Sequence, residues 1–253
     1  MLFATWNVNS VRARLPRLLA WLEARRPDVV CLQEIKCLEE QFPREPLEEL
    51  GYSCAIFGQK TYNGVALLAR RSLEDVSSGF PGDGGEARFI AAQVEDWLVA
   101  SVYVINGQEV GADKYKRKLE WMENLRRHLA QRFDRSEKVL IGGDFNVTFD
   151  DRDVYDPEAW REKIHCSTPE RQALSGLTEL GLADTLRELD PRPGIYTWFD
   201  FRTRGLQRGQ GLRIDHILAS PAALKLAREV EVDLEERRQE KPSDHAPVLA
   251  RFD

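Results

Sequence analysis

Acids, amides and one histidine recur where apolar runs of this chain stop. Leu2–Trp6 runs into Asn7, Val29–Leu32 into Gln33-Glu34, and Lys138–Ile141, through Gly142-Gly143, into Asp144 and Asn146. Val99–Val104 carries Tyr103 and leads to Asn106. Asp215 lies inside the apolar stretch Ile214–Leu218, and Ser243-Asp244-His245 precedes the last apolar run. Carboxylates with few histidines suit a hard cation, Mg²⁺ or Mn²⁺, better than zinc. A sparse carboxylate site of that kind serves phosphate chemistry. No GxSxG, P-loop or HExxH stretch offers a competing nucleophile or zinc site.

Each position also has a plainer reading. Asp144-Phe145-Asn146 fits a turn after a strand, because Gly-Asp and Asn are turn formers. Asp144 and Asn146 are two apart, so in extended backbone they face the same side, which favours a shared task. Asp215 is harder to treat as incidental, since a carboxylate in an apolar strand is costly unless paired. His216 points to the opposite face and reads as structural, so His245 is the better partner, leaving Asp244 free. His128 falls in a helix and reads as solvated. His165-Cys166 could form half of a soft-metal site, a weak reading.

Elements must bring these groups together. Strands are expected over Leu2–Trp6, Val29–Leu32, Ala55–Phe57, Val65–Ala69, Arg88–Val94, Trp97–Val104 and Lys138–Ile141, then Tyr196–Phe199, Leu212–Leu218, Val230–Leu234 and Val248–Phe252. The Gly/Pro-rich stretch 79–85 reads as a turn between strands. Ser10 can cap a helix over Val11–Arg25, where Leu15, Leu18, Leu19 and Leu22 recur at helical spacing and Pro27 marks the stop. Tyr115–Phe133 reads as a second amphipathic helix, and Thr168–Leu180 as a third with Thr168 as its cap. Strict βαβα alternation is absent. The pattern predicts an α/β (α+β) fold with two packed sheets and helices outside, as one domain over 1–253.

The 253 residues, 42% apolar, suffice for one sizeable core. Four cysteines show no CxxC pair, so reduced thiols are expected, with Cys31 in the core. No apolar run approaches a membrane span, and the first residues read as a core strand, which points to a cytoplasmic protein. The net charge of −6 alone argues against a polyanionic partner. Two locally basic segments temper that: 112–118, and 200–213 with Arg202, Arg204, Arg208 and Arg213 against one Asp. Basic segments beside acidic clusters suit an enzyme that holds phosphate with Lys/Arg and a metal with carboxylates.

Five blocks resemble, in order, the signatures of the exonuclease III family of AP endonucleases. They are 5–13 (Thr-Trp-Asn-Val-Asn-Ser-Val-Arg-Ala), 32–36 (Leu-Gln-Glu-Ile-Lys), 142–146 (Gly-Gly-Asp-Phe-Asn), 211–215 (Gly-Leu-Arg-Ile-Asp) and 241–248 (Lys-Pro-Ser-Asp-His-Ala-Pro-Val). Gly58…Leu68 and Tyr196…Arg202 match too. The resemblance implies a four-layer αββα sandwich and a nuclease that uses Mg²⁺, or Mn²⁺, to cut duplex DNA 5′ to abasic sites and to trim 3′ ends or remove 3′ blocks. It implies Glu34 as principal metal ligand, with Asp244 nearby and Asn7 in the metal and phosphate network. Asp144 would orient or deprotonate water with help from Asn146; His245, held by Asp215, would contact the scissile phosphate. Tyr103 would stabilise charge near the phosphate and Asn106 would donate to it, while Lys36 and Tyr62 would touch the DNA backbone. Trp198, Leu212 and Ile214 resemble the pocket for the base-free sugar. The chain departs from the pattern at Ile105, where many members have proline, and at Asn9, where some carry a second metal-site aspartate.

The resemblance also implies a monomer without a membrane partner. A non-specific nuclease or a phosphatase of the same superfamily would share the catalytic groups, and the 196–214 segment favours abasic DNA over both. A catalytically silent DNA-damage-binding module would require a lost catalytic group, and none is missing.

Overall fold

The structure, a computed structural model, describes residues 1–253 except 133 and 135. Its strands are β1 (Leu2–Asn7), β2 (Val29–Gln33), β3 (Ser53–Phe57), β4 (Val65–Ala69), β5 (Glu74–Ser78) and β6 (Phe89–Val94), then β7 (Trp97–Tyr103), β8 (Lys138–Asp144), β9 (Ala183–Asp184), β10 (Asp215–Ala219), β11 (Ala227–Val232) and β12 (Val248–Phe252). They form two six-stranded sheets, ordered β11-β12-β1-β2-β4-β3 and β5-β6-β7-β8-β10-β9. Both sheets are mixed: β1–β2 and β7–β8 run parallel among antiparallel neighbours.

Period-2 alternation explains the layers. Phe3, Cys31, Leu67, Ile90, Val99, Leu140, Ile217 and Phe252 fill the space between the sheets. Their chain neighbours Ala4, Val30, Leu32 and Leu68 face outward, under Leu18, Trp21 and Leu22 of the helix Val11–Arg25. On the other side, Trp121, Met122, Leu125 and Leu129 of the helix Asp113–Arg132, with Leu174 and Leu177 of the helix Thr168–Thr178, cover Ala91, Ala100, Val102 and Ile141. The result is the expected αββα sandwich.

Several boundaries differ from the sequence reading. The first helix buries Trp21 while Leu15 and Leu19 are only partly covered. The second ends at Arg132; Phe133, its expected last residue, lies outside the described residues. Ser167, not Thr168, caps the third, in a capping box with Glu170. β5 and β9 lie outside the expected strands because an exposed five-residue edge strand and a two-residue strand carry little apolar signal. Tyr196–Phe199 is not a strand; Trp198 makes only single bridges to Leu212 and His245. His128 is not a solvated histidine, for its ring stacks on Phe80 at 5.3 Å between centroids.

The glycine pair before Asp144 shows how tightly the site end of the sandwich is built. A Cβ on Gly142 would sit 2.8 Å from Phe3 of the facing sheet, and one on Gly143 only 2.1 Å from the Val102 carbonyl oxygen in β7. The second contact is with backbone, which cannot rotate away. Gly143→Ala is therefore expected to lower stability by about 2–3 kcal/mol. A urea melt checks this, and a midpoint equal to wild type would show that β7 and β8 can separate freely.

Candidate active site

Strand direction gathers the polar residues at one end of the sandwich. β1 and β2 are parallel and end on Asn7 and Gln33, paired in register. β7 and β8 are parallel and end on Tyr103 and Asp144, also paired. β10 runs the other way, so its first residue, Asp215, pairs with Asp144. The sequence reading placed Asp215 inside a strand; it opens one. β12 is antiparallel to β1, so His245, just before β12, arrives at the same end.

The backbone turns sharply there. Asn9, Ser10, Glu34, Lys36, Asn146 and His165 all have positive φ without being glycine. Such conformations are costly and persist where surrounding structure enforces them, commonly at functional sites. They aim the side chains back across the sheet ends.

The centre is a hydrogen-bonded set around Asp144. The Asn7 amide nitrogen donates to Glu34 Oε1 and Asp144 Oδ2, both at 2.9 Å, and its oxygen accepts from the Asn9 backbone at 3.0 Å. Asp144 Oδ1 accepts from the Asn146 backbone N–H at 2.9 Å. His245 Nδ1 lies 2.9 Å from Asp215 Oδ2, and its Nε2 lies 3.8 Å from Asp144 Oδ2. The pairing of His245 with Asp215 is thus present. His216 lies elsewhere, between Arg213 and the Val147 carbonyl.

These environments set the charges. Burial alone would push the His245 imidazole down, but Asp215 and Asp144 outweigh it and lift it well above its ordinary value. Burial raises Asp144, with Asp215 and Glu34 adding to the rise and His245 and Asn7 opposing it. Burial works against Glu34 as well, yet Lys36, Asn7 and His245 hold it below the usual carboxylate range. Tyr103 is raised well above its ordinary value by burial and by Glu34 and Asp144, so it stays a neutral phenol that can donate.

One ligand atom each from Glu34, Asp144 and His245 lies within 4.8 Å of the others. Asp215 and Asp244 add two further carboxylates close by, against one imidazole and Lys36. That surplus of negative oxygen donors fits a hard divalent cation. Of the ligands expected from sequence, Glu34 is in this cluster and Asn7 bridges it. Asp244 lies beside it, its two oxygens taken by Asn9 Nδ2 at 2.9 Å and Trp198 Nε1 at 3.1 Å. Asn9 also accepts from Lys36 at 2.6 Å. An amide can donate to Asp244 and accept from Lys36 at once; an aspartate here would instead face Asp244 as a like charge.

The remaining expected residues are placed as follows. Asn106 donates to Asn146 Oδ1 at 3.1 Å, and Asn146 donates to the Val104 carbonyl. Tyr62 is 69% exposed, free to meet a large ligand. Lys36 is turned to Glu34 at 2.7 Å. Trp198, Leu212 and Ile214 do share a cluster, to which Val154 and Cys166 also belong, and the His165 ring stands 6.3 Å from Trp198. The basic segments shrink as phosphate holders. Arg213 is buried against Asp153 and Asp184, and Lys118 is buried against Glu170. His165 and Cys166 are engaged elsewhere: His165 Nδ1 lies 2.6 Å from the Asn146 carbonyl, Cys166 beside Thr148.

Several supporting residues went unseen in sequence. Thr197 donates to Asp215 Oδ2 at 2.6 Å, Ser243 to the Asn7 carbonyl at 2.6 Å, and the Arg88 guanidinium lies 4.7 Å from the Tyr103 ring centre. Lys118 donates to the Asn146 carbonyl at 2.8 Å and so braces that loop. Only Glu170, its partner, had a local signal, the Ser-Thr-Pro-Glu capping box.

Known proteins share this fold over the whole chain. Residues 4–245 match the Endonuclease/Exonuclease/phosphatase family. The chain is 38% identical to exodeoxyribonuclease III of Haemophilus influenzae, over 100% of both chains. It superposes with a TM-score of 0.98 on a 3′-5′ exonuclease from Neisseria meningitidis, at 46% identity over 100% of both chains. It superposes with a TM-score of 0.97 on an AP endonuclease from Archaeoglobus fulgidus, at 36% identity over 100% of this chain and 99% of that one. With the fold, the full-length identity and the convergent acid–histidine centre in agreement, the chain belongs to the endonuclease/exonuclease/phosphatase family.

Proposed function

We propose that the protein is a divalent-metal-dependent DNA hydrolase, an AP endonuclease and 3′→5′ exonuclease, that uses Mg²⁺ and acts as a monomer in the cytoplasm. The observation that carries this is Asp144 set between Glu34 and a His245 that is itself held by Asp215.

The residues divide the work by charge. His245, flanked by two carboxylates, retains its proton and so serves as a donor to a phosphoryl oxygen. Asp144 is then the group left to orient and deprotonate the attacking water, its Oδ1 held by the Asn146 N–H and its Oδ2 by Asn7. Tyr103, as a neutral phenol, and the Asn146 and Asn106 amides donate to the developing phosphoryl charge. Asn7 keeps Glu34 and Asp144 apart and aligned. Glu34, with Asn7 beside it, would hold the Mg²⁺, and the ion would supply positive charge for the phosphoryl oxygens.

The test is cleavage of duplex DNA carrying one abasic-site analogue, and of a recessed 3′ end, with Mg²⁺ or with EDTA. Hydrolytic products that vanish in EDTA are expected; metal-independent cutting, or cutting 3′ to the lesion by elimination, would remove this mechanism.

A further inference from the structure

Beside the catalytic centre lies a cavity of about 750 Å³ whose walls include Phe201, Arg204, Arg237 and Arg238. Arg237 is only 6% exposed. Its Nε and Nη2 donate to the carbonyl oxygens of Asp244 at 3.3 Å and Phe199 at 3.2 Å. No carboxylate forms an ion pair with it among the described residues, an unusual state for a buried arginine. Its guanidinium lies 4.3 Å from the centre of the Phe201 ring, which stays 45% exposed. Arg204, on the same wall, also has no ion-pair partner among the described residues, whereas Arg238 is paired with Glu235 and the cavity's one acid, Asp200, with Arg202.

Arg237, with carbonyl oxygens as its hydrogen-bond partners and Asp244 as its nearby opposite charge, has room for an anion, and the exposed aromatic ring beside it suits a flat apolar partner. One ligand supplies both: a nucleotide, with a phosphate for the guanidinium groups and a base for the ring. The cavity is also attached to the reacting centre, because Arg237 holds the backbone of Asp244 while the Asp244 side chain holds Trp198. Resting on the reading of the protein as a DNA hydrolase, we propose that this cavity takes one nucleotide of the bound strand next to the reacting bond. Its phosphate sits between Arg204 and Arg237 and its base rests against Phe201. The cavity thereby fixes the register of the strand.

Arg204→Gln and Phe201→Leu test this, since both side chains are exposed and neither belongs to the catalytic set. Each is expected to raise KM for duplex DNA about tenfold with kcat unchanged and an unaltered thermal melt. Neutral methylphosphonate linkages, placed one at a time outside the reacting bond, should raise KM at one position in wild type. Arg204→Gln should be indifferent to that position. Wild-type KM in both variants would overturn the proposal. So would competition by dAMP without any sensitive linkage, which would assign the cavity to free product. Failure of the wild-type protein to cleave DNA would instead remove the functional reading above, and would be seen before any variant is made.

Discussion

Asp144→Asn is expected to lower kcat on DNA about 10³-fold while leaving the fold intact. The carboxylate is the group left to take a proton from water, because the His245 imidazole keeps its own between Asp215 and Asp144. The amide is nearly isosteric, and its oxygen can still accept from the Asn146 N–H as Asp144 Oδ1 does at 2.9 Å. Without a metal, the neutral amide removes the burial penalty on Asp144, to which Asp215 and Glu34 add, but gives up the attraction of His245 and the acceptor for the Asn7 amide. A thermal melt in EDTA should therefore show a cooperative transition close to that of wild type. Steady-state rates with Mg²⁺ check the first part; residual kcat above about a tenth of wild type would take Asp144 out of the proton transfer.

The second large effect concerns stability. Arg213 is buried and gives four hydrogen bonds to carboxylates, at 2.7 and 2.9 Å to Asp153 and at 3.1 and 2.6 Å to Asp184. Arg213→Met removes the cation and leaves two acids in the interior, with Arg187 and the Phe149 N–H still serving Asp153. The expected cost is about 3–5 kcal/mol, a Tm lower by roughly 10 °C in a chain of this size. A change under about 2 °C would mean that the acids protonate without penalty.

The same network has an acid signature. Burial works against the Asp153 carboxylate, but Arg213 outweighs it and holds the group down to about 2. A folded value below the unfolded one means that the stabilisation is fully present above about pH 4 and is lost as pH falls toward 2, some 2–3 kcal/mol in all. Arg213→Met should flatten that part of the pH–stability curve.

Much of the molecule could be read from its residues because those features are local. The continuous apolar runs of Val29–Gln33 and Val65–Ala69, helical spacing through Leu18 and Leu22, and polar groups closing β1, β2, β7 and β8 are all short-range patterns. Pairing Asp215 with His245 needed only the rule that a buried acid needs a partner. Arg213 shows where that kind of reading stops. Beside Arg202, Arg204 and Arg208 it looks like part of a basic stripe, and only the interior position of Asp153 and Asp184 makes it structural.

The chain by itself determined the family, the two-sheet architecture and the central acids and histidine. Each is written in residue types at fixed spacing along a strand or helix. Tertiary structure alone decided which charges are paired, which residues pack beside Trp198, and that Asp244 joins Asn9 and Trp198 beside the Glu34–Asp144–His245 centre. Those outcomes depend on contacts between residues far apart in sequence. Burial then turns each contact into a strong electrostatic or steric effect that no local pattern encodes.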